Sequence, residues 1–245
     1  LALHMDYKLH ILALAAHPDD VELACSGTLL NEINKGKTVG IVDLTRGEMG
    51  TLGTPELREE EAQKAARILG VRLRQNLEMA DGLFTQSYEN LMRVVECIRL
   101  YRPDIVLTNA KHDRHPDHGR GGDLVERACF LAGLEKIETQ KKGLWQEPWR
   151  PKTVYRFVQD RYIKPDVIVD ISESWGTKME AIKAFKSQFH NPDNPEEKET
   201  PISTPDFLHF LEARARELGR EIGVRYGEAF NIARTPGVKS IFDLI

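Results

Sequence analysis

The 245-residue sequence is poor in cysteine: it has three, Cys25, Cys97 and Cys129, an odd number with no CxxC pair. That usage excludes a disulfide framework and a cysteine-built zinc site, and fits reduced thiols in a cytoplasmic protein. Cys97 and Cys129 fall on the apolar faces of expected helices. No apolar run approaches the roughly 20 residues that span a bilayer, and no charged n-region with a cleavage pattern marks a signal peptide. Positive charge is not in excess either. Lys and Arg number 34 against 38 Asp and Glu, a formal net charge of -4, so the basic footprint of a nucleic-acid binder is missing. No Walker A or GxGxxG pattern follows a strand, which argues against a nucleotide-binding Rossmann domain. Internal repeats and low-complexity segments are absent as well.

What is present suits a globular enzyme. The chain is long enough to bury a substantial core. Leu1 to His4, ahead of Met5, read as a tag remnant, leaving 5–245 as one α/β domain. Leu9 to Ala16 is a near-continuous apolar run, the pattern of a parallel strand covered on both faces. Val21 to Lys35 has helical periodicity with Gly36 as its stop. Thr38 to Thr45 is a second strand, and the polar loop Arg46 to Pro55 carries three glycines. Thr54-Pro55 opens a helix that runs to Leu69 before Gly70. Val71 to Leu77, with its arginines, suits a strand near the sheet edge. Leu91 to Tyr101 is amphipathic, Asp104 to Asn109 is a buried strand, and Gly119 to Leu134 is a helix. Further on, Thr153 to Val158 and Asp166 to Ile171 read as strands, and Glu173 to Phe189 and Phe207 to Gly223 as helices. A last strand spans Arg225 to Ile232. The segment His190 to Pro205, with four prolines, is a loop long enough to act as a lid. Strand–helix alternation of this kind predicts a Rossmann-like, mainly parallel sheet with helices on both faces. Ligands of such sheets bind at the C-terminal edge of the strands.

Two polar clusters fall at that edge. Ala16-His17-Pro18-Asp19-Asp20 follows the first strand, and His112-Asp113-Arg114-His115-Pro116-Asp117-His118 follows the strand ending at Asn109. Three of the eight histidines lie within seven residues there, which is hard to reconcile with a merely solvated loop. His17 and Asp20 are three apart, as are His115 and His118, so each pair can face one point from a turned or helical backbone. Imidazole nitrogen with carboxylate oxygen suits zinc, and two histidines with one carboxylate suit ferrous iron equally. Taking His17, Asp20 and His118 as ligands leaves Asp19, His115 and Asp117 beside the metal. Those are the acid–base residue types that hydrolysis requires.

The pair A-H-P-D-D and H-P-D-H resembles the PIG-L/LmbE-like zinc-dependent N-acetylglucosaminyl deacetylases. Leu44 to Thr51 (LTRGEMGT) and Glu56 to Ala62 (ELREEEA) resemble segments of that family too. Ser187 to Phe189 and Gly223 to Phe230 look most like its bacillithiol-biosynthesis branch, which removes acetate from N-acetylglucosaminyl-malate. The resemblance implies that His17, Asp20 and His118 bind zinc and that Asp19 is the general base for the attacking water. It also implies that His115 stabilises the oxyanion or protonates the leaving amine, with Asp117 orienting an imidazole. Arg58 is the candidate for gripping sugar hydroxyls or a substrate carboxylate, Arg114 for a bidentate hold on malate, and Glu48 for a contact from the glycine-flanked loop. The implied partner is a small N-acetylated amino sugar, not nucleic acid or membrane. Relatives imply a homo-oligomer, for which the apolar Ser240 to Ile245 is an interface candidate. A thiol-conjugate amidase on the same scaffold, and a non-catalytic metal- or sugar-binding module, are the competing readings.

Overall fold

A computed structural model describes residues 7–141, 143–190 and 198–244. Residues 1–4, expected to be a tag remnant, and residues 191–197 of the proline-rich segment lie outside the described residues. The first strand, β1 (Ile11–Ala15), is wholly buried because both its faces are covered. Ile11, Ala13 and Ala15 pack into one apolar core, and Leu12 and Leu14 into another on the opposite side. Beside β1 lie β2 (Val39–Thr45) and then β3 (Leu73–Met79) on one flank, with β4 (Ile105–Asn109) on the other. All three pair in parallel register with their neighbours. The edge position of β3 suits its polar sequence, Leu-Arg-Gln-Asn-Leu-Glu-Met.

The sheet continues beyond β4. The short hairpin β5 (Gln140–Lys141) and β6 (Leu144–Trp145) stands apart as a separate pair. β7 (Thr153–Phe157) joins β4 in parallel, β9 (Gly227–Ile232) runs antiparallel to β7, and β8 (Val167–Asp170) closes the order β3-β2-β1-β4-β7-β9-β8. The expected mainly parallel α/β sheet is present, with an antiparallel flank.

The helices cover both faces. α1 (Asp20–Ala24), α2 (Ser26–Asn34), α3 (Pro55–Leu69) and α6 (Trp175–Ile182) contribute to one core, joined by Leu211 of α7 (Phe207–Glu221). α4 (Tyr88–Tyr101) and α5 (Pro116–Ala132) contribute to the other. Among the described residues no helix is long and apolar enough to cross a membrane.

Several boundaries differ from the sequence expectation, three of them near the site or its supports. The single helix expected over Val21 to Lys35 is two, broken at Cys25 (φ -142°, ψ 8°). The break lets Glu228 of β9 take the amides of Gly27 (2.9 Å) and Thr28 (2.7 Å) at the start of α2, a capping partner 200 residues away. The helix expected from Gly119 starts three residues earlier, at Pro116, which fills its first position; His115 caps it by accepting from Asp117 N at 3.3 Å. The second polar cluster is therefore partly a helix turn and not only a loop. The helix expected over Glu173 to Phe189 stops at Ile182, after which the Ala184 and Phe185 amides turn to Ala181 O and Ile182 O, three residues back. Further on, Glu61 of α3 takes the Ser187 amide (2.8 Å) and hydroxyl (2.7 Å).

Candidate active site

The strand-end geometry brings the two clusters to one cavity of about 270 Å³ at the C-terminal edge of β1 and β4. His17, Asp19, Asp20, Arg58, Arg114, His115 and His118 all line it. The three imidazoles crowd together, with ring centroids 4.5 Å (His17–His115), 5.5 Å (His17–His118) and 5.4 Å (His115–His118) apart.

Asp20 is the hub. One carboxylate oxygen accepts from the His17 amide (3.0 Å) and Asn109 Nδ2 (3.0 Å), and the other from Gln159 Nε2 (2.7 Å). The same carboxylate faces His17 Nδ1 at 3.6 Å and His118 Nε2 at 3.1 Å. The far nitrogen of each ring is held by another carboxylate. His17 Nε2 meets Asp81 at 3.0 Å and Asp117 at 3.5 Å, and His118 Nδ1 meets Asp113 at 2.7 Å. Those outer carboxylates are themselves tied down. Asp81 accepts from Met49 N (2.9 Å), and Asp117 from Gly82 N (2.8 Å) and Arg120 (2.9 Å).

The electrostatics follow from this layout. Burial alone would lower the pKa of His17, but Asp117, Asp20 and Asp81 outweigh it and raise it well above the ordinary range. Burial also opposes the charge on His118, yet Asp20 and Asp113 carry it up to about 9. Burial likewise works against the Asp20 carboxylate, and the facing His118 and His17 hold it well below the usual range. The site is built to hold positive charge between Asp20 and its neighbours.

Asp19 stands apart from that cluster. Its backbone is left-handed (φ 112°), rare for a residue other than glycine, and its side chain lies 3.6 Å from Arg58. Burial, partly offset by the Arg58 charge, pushes its carboxyl up to about 7. His115 is half-buried. Its pKa is lowered by burial and by the facing His17 and His118, which keeps the ring neutral near pH 7.

The remaining predicted residues are placed as follows. Arg58 is buried (5% exposed), donating to Pro18 O (2.8 Å) and Gly47 O (3.0 Å), with Nε unpartnered. Arg114 is exposed at the rim and paired with Asp160 at 2.5 Å. Glu48 turns away to accept from the Asp81 amide at 2.8 Å and is not part of the cavity wall. Asp117 points its carboxylate at His17, while its amide serves His115.

Sequence reasoning missed Asp81, Asn109 and Gln159, and left Asp113 without a role. Asp81 carried a usable signal, since it stands two residues beyond β3 and hence at the same sheet edge. Asn109 and Gln159 gave none, being single amides at strand ends.

Among the described residues, the donor groups that converge to within 4.8 Å are His17, His115 and His118, and His17, Asp81 and Asp117; the expected set of His17, Asp20 and His118 is not one of them. A metal-capable acid–base site on a doubly covered α/β sheet is thus the class of protein that fold and site define. The family model for GlcNAc-PI de-N-acetylase (PIG-L) matches residues 12–129, a span that contains both clusters. Diacetylchitobiose deacetylase of Thermococcus kodakarensis is 30% identical over 252 residues, covering 96% of this chain and 89% of its own length. A probable N-acetyl-alpha-D-glucosaminyl L-malate deacetylase 2 of Bacillus anthracis is 26% identical over 85% of this chain and 94% of its length. The solved structure of a conserved protein, TT1542, from Thermus thermophilus superposes with a TM-score of 0.82 at 35% identity, over 95% of this chain and 97% of that one. The chain belongs to the PIG-L deacetylase family.

Proposed function

We propose that this protein is a divalent-cation-dependent hydrolase that removes acetate from an N-acetylated amino sugar. The observation that carries the proposal is the arrangement around Asp20: two imidazoles face it, each backed by its own carboxylate, with a strained, buried Asp19 alongside. In that reading His17, Asp20 and His118 hold the cation. Their donor atoms lie 3.1 and 3.6 Å from the Asp20 oxygens. The two contacts fall on different Asp20 oxygens, so the support for this set is its chemistry, two imidazoles and one carboxylate on one buried edge, which suits zinc or a similar ion. His17 and His118 also converge with His115 to within 4.8 Å. Asp81, Asp117 and Asp113 then act as the outer carboxylates that fix each ring and raise its basicity.

When bound, the cation supplies Lewis acidity to the amide carbonyl and to water. Asp19 takes a proton from the water that attacks the acetyl carbon, a C–O bond forms, and the C–N bond breaks to release acetate. The same proton then passes from Asp19 to the departing amine nitrogen. His115, neutral and with Nδ1 occupied by the Asp117 amide, presents its Nε2–H to the oxygen that gains charge. Arg58 braces Asp19 and offers its unpartnered Nε to the sugar, and Arg114 stands at the rim where an aglycone emerges.

For the aglycone, the branch segments favour N-acetylglucosaminyl-malate. The second reading, a diacetylchitobiose-type substrate, is favoured by the higher identity to that deacetylase over nearly the whole chain. Acetate release from both compounds and from a bacillithiol S-conjugate tests this. Release from neither sugar would overturn the deacetylase reading, and release only from the conjugate would make the protein an amidase. Homo-oligomeric assembly belongs to the same proposal. The exposed Ile241, Phe242 and Leu244 are its contact, and a sedimentation mass equal to the monomer would refute it.

A further inference from the structure

The stretch Pro18–Leu23 carries Asp19 and Asp20, yet α1 is five residues long and cannot hold a conformation by itself. Three buried cations from three separate elements hold it instead. Arg58 of α3 donates to Pro18 O at 2.8 Å, Arg74 of β3 to the Glu22 carboxylate at 2.5 Å, and Lys178 of α6 to Leu23 O at 2.9 Å. Arg58 lines the catalytic cavity, whereas Arg74 and Glu22 do not.

Arg74 is a fork between elements. Its Nε and Nη2 reach Asp43 of β2 at 2.8 and 2.9 Å, and its Nη1 reaches both Glu22 and Ala62 O of α3 (3.2 Å). The guanidinium also lies 5.6 Å over the Phe185 ring. The three charged side chains are 1% (Arg74), 0% (Glu22) and 3% (Asp43) exposed. An apolar trio of equal volume would commonly stabilise such a site as well or better. What the ionic trio adds is direction: a planar fork satisfies both carboxylates only when α1 sits at one height and rotation above β2 and β3. The left-handed turn at Asp19 needs such a constraint, since strained backbone persists only where its surroundings over-determine it.

We propose that Glu22 and Arg74 are positioning residues for the Asp19–Asp20 pair, setting the cation-holding and proton-transferring carboxylates from beneath the site. Only the turnover part of the following test rests on the deacetylase reading. Glu22→Leu removes the tether, fills the space and leaves Arg74 neutralised by Asp43. It is expected to lower kcat at least tenfold with KM within about twofold, and to weaken affinity for zinc, measured by chelator competition, at least fivefold. Glu22→Gln keeps a hydrogen bond to the fork and is expected to recover kcat and zinc affinity to within about threefold of the parent. Arg74→Lys keeps the buried charge but cannot bridge both carboxylates, so a fivefold loss in both quantities is expected even if Glu22→Leu fails to fold. Parental kcat and zinc affinity in folded Glu22→Leu or in Arg74→Lys would overturn the proposal. So would a Glu22→Gln variant as impaired as Glu22→Leu, because that result makes charge the cause and not the tether. Zinc affinity is read without substrate, so a failure of the deacetylase reading leaves this test standing.

Discussion

Asp19 shows how much of the account rests on single side chains. A residue held at φ 112° costs on the order of 1–3 kcal/mol, which is sustained here by the bonds that Arg58, Arg74 and Lys178 make along Pro18–Leu23. If its carboxylate moves the proton, Asp19→Asn retains the cation but loses about 10²–10⁴ in kcat. Metal analysis beside an acetate assay checks this, and parental turnover in the variant would rule Asp19 out as the base. The sign of the pH dependence follows. Burial pushes the Asp19 carboxyl up to about 7, and only the deprotonated form accepts a proton, so kcat/KM falls as the pH is lowered. The midpoint of that acid limb is expected at or below about 7, since any added positive charge nearby lowers it. An acid limb well above that value would contradict the assignment.

The cysteines give a test independent of chemistry at the site. Burial pushes Cys97 up to about 11, Cys129 up to about 12, and Cys25 well above the ordinary thiol range. Native protein at about pH 8 is therefore expected to show no fast-reacting thiol with an aromatic disulfide reagent, and denatured protein to show all three. Rapid labelling of even one native thiol would place it outside the core.

At the scale of elements, the site is a consequence of where strands stop. β1, β3 and β4 run parallel, so His17–Asp20, Asp81 and the 112–118 cluster all emerge at the same edge. This was legible in the sequence because buried parallel strands read as unbroken apolar runs, as Leu9 to Ala16 does, with polar residues directly after them. What was not legible were the features fixed by distant partners. Glu228 takes up the amides that the break at Cys25 leaves free, and Glu61 that of Ser187 beyond α6; neither distant carboxylate leaves a local trace in the segment it holds. The roles within the second cluster were hidden for a similar reason, since Asp113 and Asp117 are told apart only by which ring each one meets.

The packing of α5 on β4 makes an element-scale prediction. A methyl group on Gly122 would come within 2.5 Å of Asn109 O and 2.7 Å of Arg156 Nη1. The backbone carbonyl cannot move aside as a flexible side chain can, so overpacking outweighs the better helix propensity of alanine, which is worth at most about 1 kcal/mol. Gly122→Ala should destabilise by about 1–3 kcal/mol in urea unfolding, and should also lower turnover because Asn109 holds Asp20. A variant as stable as the parent would show that α5 approaches β4 less closely than described.

Across the whole molecule, one sheet edge gathers four kinds of group: imidazoles, a carboxylate hub, outer carboxylates and the strained, buried Asp19 beside Arg58. The fold class and the pairing of the two clusters could be read from the sequence, and the PIG-L relationship follows from the comparisons. The proposed division of labour gives Asp20 and the His17 and His118 rings the positive charge, and gives Asp19 and His115 the work on substrate. The claim that joins these parts is cation-dependent acetate release. Its most direct test is acetate production from an N-acetylglucosaminyl substrate before chelation, after exhaustive chelation and dialysis, and after zinc or ferrous iron is returned. The account predicts turnover, its loss to below about 1%, and its recovery with one equivalent of cation per chain; full turnover by the rigorously metal-free protein would contradict it.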